Sequence, residues 1–419
     1  MTNFKIITLG CKVNSYESQA VREMFLSRGY VESNGKSADI FLINSCAVTH
    51  VAEHKSRQKV SSISKNNPDS IIIVCGCSSQ LHPLKYEELK GASIIIGNNN
   101  HNEILSLIDE FSVTKKQIVK VDTSTRNRTY QNLKITSFSD KVRAFVKISD
   151  GCNNFCAYCV IPYTRGNLRC RDKDEILCEI KNLVNNDYKE VVITGIDSVS
   201  YSYGEEYKFN DLLKDIASID GLKRLRISSV EASQMDDRFI GILKNNPCVA
   251  RHLHIPLQSG SDTVLKRMKR KYTCDEFYSK IKNIQEKIPL IALACDVIVG
   301  IPGETEEEFN ETYNFIKKCN FAFLHVFPYS IREGTPAASM ENQVPDQMKK
   351  ERVRRLIELG NELSSNYKKK FVDQEVEVLI ENYDKKTNTY HGLTSNYLDV
   401  YVESEEDLIN KIIKVKYKC

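Results

Sequence analysis

Over the first 111 residues, short apolar runs alternate with segments of helical period. Phe4–Leu9 reads as a strand, and Ser15 or Ser18 is placed to cap a helix whose Ala20, Val21, Met24 and Phe25 keep one face apolar until Gly29. Asp39–Asn44 and Ser70–Cys75 read as buried strands around a polar helix at about 51–65, and Ile94–Gly97 precedes a helix over His101–Phe111. This alternation predicts a small doubly wound α/β domain. From about 142 to 330 a strand-then-helix pattern recurs six times, with strands at Val142–Ile148, Glu190–Thr194, Leu222–Ser229, His252–Gln258, Pro289–Val299 and Phe321–Tyr329. Parallel βα units of this kind curl into a partial or full barrel that carries its site at the C-terminal strand ends. Pro345–Phe371 reads as a long charged helix with an apolar face at Val353, Leu356, Ile357, Leu359 and Leu363. The period then drops to two at Glu375–Ile380, Tyr397–Val402 and Ile412–Tyr417, which predicts a small antiparallel β-barrel or sandwich.

These boundaries give an α/β chain with an N-terminal domain over 1–111, a linker over 112–141, a βα domain over 142–371 and a β tail over 372–419. A length of 419 residues fits two or three domains. No run approaches the roughly 20 apolar residues of a membrane span, and no leader pattern opens the chain, so a cytoplasmic protein without a membrane is expected. The net charge of +4 is too small to argue for nucleic acid by itself. Between Thr114 and Lys147, however, Lys115, Lys116, Lys120, Arg126, Arg128, Lys134, Lys141, Arg143 and Lys147 face only Asp122 and Asp140. This run reads as a solvated connector or, more sharply, as a basic surface that contacts phosphates.

Fourteen cysteines in a long cytosolic chain point to metal or redox chemistry rather than disulfides. Cys170, Cys178, Cys248, Cys274, Cys295, Cys319 and Cys419 stand in no ligand-like spacing and read as ordinary thiols. Cys152, Cys156 and Cys159 differ. They lie in Asp150-Gly-Cys-Asn-Asn-Phe-Cys-Ala-Tyr-Cys159, directly after a predicted strand, so three thiolates can converge. Soft thiolates select zinc, Cu(I) or iron–sulfur clusters. A closed zinc site wants a fourth ligand nearby and none follows, whereas three ligands on a four-iron cluster leave one iron open. Cys11, Cys46 and Cys77 each follow a predicted strand end, and such ends share one edge of a parallel sheet, so these thiols either meet in space or are unrelated buried cysteines.

CxxxCxxC with Tyr158 before its last cysteine resembles the radical S-adenosylmethionine (SAM) signature. Thr8–Asn14, Asn44–Thr49 and Gly76–Gln80 resemble the three motifs of the methylthiotransferase N-terminal domain. The segment His391–Tyr397 resembles part of the TRAM domain, an RNA-binding β-barrel. By these resemblances, in this order, the chain is identified as a member of the radical SAM methylthiotransferase family. The resemblance implies that Cys152, Cys156 and Cys159 hold a 4Fe-4S cluster whose open iron binds SAM, which an electron cleaves to a 5′-deoxyadenosyl radical. It also implies a second 4Fe-4S cluster on Cys11, Cys46 and Cys77, with Cys77 preferred over Cys75 because it follows the glycine.

The strand ends of the central domain carry ligand-suited residues. Gly195 leaves backbone room, Ser229 and Glu231 suit a ribose, and the Gly300–Glu304 turn offers amides to a carboxylate or adenine edge. By the resemblance these, with Tyr158, Gln258, Gly300 and Gly303, contact SAM; Ile196–Gly204 is about one residue longer than the family's loop. No catalytic residue beyond the cluster ligands is implied. The Gly10–Asn14 segment most resembles the branch that methylthiolates carbon 2 of N6-threonylcarbamoyladenosine beside the tRNA anticodon. Alternatives are the isopentenyladenosine branch, the branch acting on a ribosomal-protein aspartate, and a non-catalytic iron–sulfur RNA-binding protein. Implied partners are the tRNA anticodon stem-loop, with Tyr390 and Tyr397 stacking on bases, and an electron donor such as flavodoxin or ferredoxin; the protein is expected to be a monomer.

Overall fold

The computed structural model describes residues 1–122, 124, 128–138 and 142–418. Arg126, Asp140, Lys141 and Cys419, weighed above, lie outside the described residues. Among the described residues no helix is long and apolar enough to cross a membrane.

The N-terminal sheet contains β1 (Asn3–Thr8), β2 (Val31–Glu32), β3 (Ile40–Ser45), β4 (Ile71–Gly76), β5 (Ile94–Ile96) and β6 (Ile118–Lys120), all parallel, in the order β2-β1-β3-β4-β5-β6. β3 is buried along its whole length, which is why its sequence is a continuous apolar run rather than an alternating one. β6 carries this sheet past residue 111. The first helix spans Lys12–Ser27, and Cys11, not Ser15 or Ser18, is its N-cap. The first cysteine therefore sits at the positive end of a helix.

Seven strands build the central domain's main sheets: β7 (Arg143–Asp150), β8 (Arg169–Cys170), β9 (Glu190–Gly195), β12 (Arg224–Ile227), β13 (His252–Gln258), β14 (Ala292–Val299) and β15 (Phe323–Pro328). A small antiparallel hairpin, β10 (Ser202–Tyr203) and β11 (Tyr207–Lys208), begins in the Ile196–Gly204 loop and ends beyond it. One sheet runs β12-β9-β7-β8, a second β13-β14-β15, and only β8 is antiparallel. A parallel bridge at Leu225–Val249 and the Val230 amide on the His254 carbonyl (2.8 Å) join the two into a partial barrel. The six predicted barrel strands are all present.

The last sheet is antiparallel: β16 (Glu375–Asp384), β17 (Thr389–Thr394), β18 (Asp399–Val402) and β19 (Ile412–Lys416), in the order β18-β17-β16-β19. β17 covers residues expected to lie between strands. The Asp346–Lys369 helix buries Leu356, Leu359 and Leu363 as expected, but Ile357 is exposed.

The expected linker is not a solvated connector. Leu133, Ile135 and Phe138 are buried in the central core, and the Tyr16 hydroxyl donates to the Leu133 carbonyl at 2.6 Å. Its basic run is divided: Lys115, Lys116, Lys120 and Lys134 are exposed, whereas Lys147, Arg128 and Arg143 are drawn into the fold. Lys147 is buried between Glu17 and Asp150 (2.7 Å each), and Arg128 donates to the Asn98 side chain (3.0 Å) and the Thr164 carbonyl (3.1 Å). Arg143 pairs with Glu381 (3.0 Å), Lys134 with Glu175 (3.3 Å) and Lys120 with Glu103.

Candidate active site

Cys11, Cys46 and Cys77 follow β1, β3 and β4, and all three line one cavity of about 990 Å³. Two glycines bring them together. Gly10 has φ +103°, and a Cβ there would stand 2.9 Å from the Cys46 sulfur. Gly76 has φ +100°, and a Cβ would stand 2.4 Å from the Ser45 carbonyl. Only glycine tolerates both constraints. Cys75, the competitor, is buried in the sheet core away from the cavity. The opposite wall is barrel: Gly195 and Ser229 from the ends of β9 and β12, His252, His254 and Asp296 from β13 and β14. The C-terminal sheet closes one side with Leu393, Tyr397 and Asp399.

The CxxxCxxC loop leaves β7 and returns through a short helix, Ile161–Arg165. A second cavity of about 240 Å³, sharing Val48, Ile161, Asp296 and Phe327 with the first, is lined by Tyr158, Cys159 and Gln258. A third, of about 220 Å³, is lined by Cys156, Glu231 and Arg270. The predicted cofactor contacts thus divide: Gly195 and Ser229 on the large cavity, Tyr158 and Gln258 on the second, Glu231 on the third. Gly300 and Gly303 line none of these, and their amides are already committed to the Glu304 carboxylate (2.6 Å) and the Asn342 carbonyl (2.8 Å). The expectation that this turn offers free amides to a ligand is corrected. Ser229 is committed in part, its hydroxyl 2.9 Å from His254 Nδ1, while His254 Nε2 meets Asp296 at 2.9 Å.

The sulfurs meet the donor set a cluster wants. The Arg165 Nε donates to Cys77 Sγ (3.1 Å), Arg270 Nη1 to Cys156 Sγ (3.4 Å), the Asn154 amide to Cys152 Sγ (3.4 Å) and the Val48 amide to Cys46 Sγ (3.5 Å). Burial pushes the Cys152 thiol up to about 11 and the Cys46 and Cys159 thiols to about 12. Alone they stay protonated at neutral pH, and a bound metal would take them as thiolates. Among the described residues no set of three or more Cys, His, Asp or Glu side chains is arranged for a single metal ion. Three ligands of a four-iron cluster bind three different irons, a wider arrangement.

Arg165 joins the two cysteine sets. Its guanidinium, fully buried, donates to Glu17 (2.7 and 3.0 Å), Asp150 (3.1 and 3.2 Å) and Asn14 (2.9 Å) as well as to Cys77. Glu17 and Asn14 belong to the helix that Cys11 caps, and Asp150 ends the strand before Cys152. Burial alone would raise the Glu17 carboxyl, but Arg165 and Lys147 hold it down at about 2. Arg270 binds Glu231 at 2.6 Å beside Cys156. Asp197 faces Cys152, its carboxylate 3.9 Å from the sulfur. Sequence reasoning singled out none of these three.

Tyr397 is placed differently from expectation. Its ring lies between the Arg226 guanidinium (3.8 Å) and the His252 ring (4.4 Å), at the cavity wall, on a backbone with φ +61°. A bulky residue at positive φ is strained and is held there by its surroundings. Arg226 also donates to the Thr394 (3.2 Å) and Ser395 (3.0 Å) carbonyls, docking this turn on the barrel. Tyr390 is buried in the C-terminal sheet against Tyr383 and offers no stacking face. The more exposed aromatics there are Tyr401, beside His391, and Tyr383.

Residues 146–316 match the family described as the Radical SAM superfamily, and residues 3–97 match one described as Uncharacterized protein family UPF0004. The chain is 44% identical over 415 residues to the threonylcarbamoyladenosine tRNA methylthiotransferase MtaB of Bacillus subtilis (strain 168), spanning 98% of this chain and 92% of that one. The tRNA-2-methylthio-N(6)-dimethylallyladenosine synthase of the same strain is 35% identical over 424 residues, spanning 99% and 83%. Among solved structures, the radical SAM methyltransferase TsrM from Kitasatospora setae superposes with a TM-score of 0.57 at 13% identity, over 81% of this chain and 74% of that one, a likeness of fold.

Proposed function

The chain belongs to the radical SAM tRNA methylthiotransferases, and on that premise we propose that it transfers a methylthio group to carbon 2 of N6-threonylcarbamoyladenosine beside the anticodon of tRNA. The observation that carries this reading is one cavity walled on one side by Cys11, Cys46 and Cys77 and on the other by the barrel's strand ends. Cys152, Cys156 and Cys159 are assigned to one 4Fe-4S cluster, and Cys11, Cys46 and Cys77 to a second. When bound, these clusters and SAM supply the electron, the hydrogen-abstracting radical and the methylthio group.

The chain's own residues hold and shield this chemistry. Tyr158 and Gln258 flank Cys159, Glu231 and Arg270 flank Cys156, and Gly195 and Ser229 open the strand ends toward the larger cavity. Arg165 fixes the cysteine-bearing helix against the cysteine loop, so reactants from the two sides meet at a set separation. A flavodoxin or ferredoxin is the partner class that supplies electrons. The threonylcarbamoyl substrate is favoured because, within one organism, the relative named for that nucleoside is the closer of the two, at 44% against 35%.

Nucleoside mass spectrometry on bulk tRNA from cells with and without the gene tests the reading. The methylthio-threonylcarbamoyladenosine peak should vanish while its parent accumulates. Loss of only a dimethylallyl-type product would refute the substrate, and an unchanged tRNA profile would refute tRNA as the target.

A further inference from the structure

Every carboxylate near the barrel end of the large cavity is already claimed. Asp296 is bound by His254 (2.9 Å), Asp399 by His391 (3.1 Å), and Glu190 by Arg226 (2.8 Å) and Arg224 (3.2 Å). Among the described residues three nitrogen bases lining the same cavity, Lys12, His252 and His325, are not, and of these His325 is exposed to solvent. Among the described residues no hydrogen bond or ion pair reaches the Lys12 ammonium. His252 is 7% exposed, lines the cavity, and its buried Nδ1 has no partner. Its ring is fixed edge-on against Tyr397, which Arg226 backs from the other face. A donor-rich wall with its own acids spent is a site for an anionic oxygen group brought by a ligand.

We propose that Lys12 and His252 form a carboxylate subsite that binds the threonyl carboxylate of the substrate nucleoside and so selects it over a hydrocarbon-modified adenosine. This rests on the substrate reading above. The dimethylallyl group has no charge to offer this wall, and leaving the half-buried Lys12 and the buried His252 unanswered disfavours it. The other source of such a group is an RNA phosphate, and the test separates the two.

Affinity of the cluster-loaded enzyme is measured for three anticodon stem-loop RNAs, carrying threonylcarbamoyladenosine, its threonyl methyl ester, or plain adenosine. Wild type should bind the free acid about 10- to 100-fold more tightly than the ester, the worth of one charge-assisted hydrogen bond. Lys12→Gln should erase that difference with iron content unchanged, and Lys12→Arg should restore it. His252→Asn should narrow it in a second, independent variant. Equal weakening of all three RNAs by Lys12→Gln would mean a phosphate contact and overturn the proposal. Equal binding of acid and ester by wild type would overturn it as well, even where mass spectrometry upholds the threonylcarbamoyl product. Loss of a dimethylallyl product in cells lacking the gene would instead sink the substrate reading itself.

Discussion

Replacing Arg165 with methionine keeps the volume of the side chain and removes the cation that holds the two cysteine sets together. The guanidinium is fully buried, as is the Glu17 side chain, and Asp150 is nearly so. Without it, Lys147 alone (2.7 Å from each) faces two buried carboxylates, with Arg169 at 3.6 Å from Asp150. Breaking a buried pair from one side costs about 3–5 kcal/mol because a charge is left uncompensated. The acidity of Glu17, which Arg165 and Lys147 set together against burial, has the same order of size. The fall of the Glu17 carboxyl from 4.5 to about 2 corresponds to about 3 kcal/mol, at about 1.4 kcal/mol for each tenfold change in acidity. Denaturant unfolding of the two proteins should therefore differ by about 3–5 kcal/mol, a large share of a typical domain's stability. A loss under about 1 kcal/mol, the size of an exposed pair, would refute the reasoning. Because Glu17 is depressed below its ordinary value, the stabilisation is complete above pH 4.5 and is lost as pH falls toward about 2. The gap between wild type and variant should hold at neutral pH and narrow over that acid range, without closing, because Arg165 holds the Asp150 carboxyl lower still. Adding Glu17→Gln to the variant should recover part of the loss, since the pair is coupled.

Cys152→Ala should abolish SAM cleavage and product, whereas Cys11→Ala should spare SAM cleavage and stop methylthiolation; full product from Cys11→Ala would end the two-cluster reading. Gly76→Ala places a Cβ 2.4 Å from the Ser45 carbonyl at φ +100° and should cost about 3 kcal/mol. Its reconstituted iron content should fall to that of Cys77→Ala, and wild-type iron and stability would contradict this. Tyr397→Ala removes a half-buried ring and its cation–π contact with Arg226 and should cost about 2–3 kcal/mol by denaturant midpoint, with faster proteolysis of the C-terminal sheet. A change within about 0.5 kcal/mol would show that the ring does not help dock that sheet.

The barrel strands were legible because strands buried on both faces are written as apolar runs, as in Ala144–Val146 and Val191–Ile193. The cysteines were legible because their spacing and strand-end positions survive in one dimension. The first helix start was misplaced because Cys11 caps with no side-chain hydrogen bond, so no favoured capping residue marks the position. The inner part of the basic run misled because lysines and arginines are rarely buried, and its partners are remote in sequence: Lys147 meets Glu17 across 130 positions, and Arg143 meets Glu381 in the C-terminal sheet. β17 was missed because its Gly392 and Thr394 read as turn chemistry, and glycine weakens a strand's signature.

The cavity's walls come from three units that no ladder joins, the N-terminal sheet, the partial barrel and the C-terminal sheet, so its shape depends on how these are docked. Apolar contacts alone would allow sliding, since they carry no direction. At two of the cavity's edges a buried arginine supplies direction instead. Arg165 ties the N-terminal helix to the cysteine loop through Glu17 and Asp150, and Arg226 ties the C-terminal turn to the barrel through Glu190 and the Thr394 and Ser395 carbonyls. Each guanidinium presents a fixed fork, so its bonds form only at one relative placement of the elements it joins. Burying such charges adds little to stability over an apolar contact of the same volume. Their value lies in registry. On the proposed two-cluster reading, a reaction that passes a group between two cysteine-held centres is sensitive to displacements of about an ångström, and these two forks fix the placement where the sheets' own hydrogen bonds cannot.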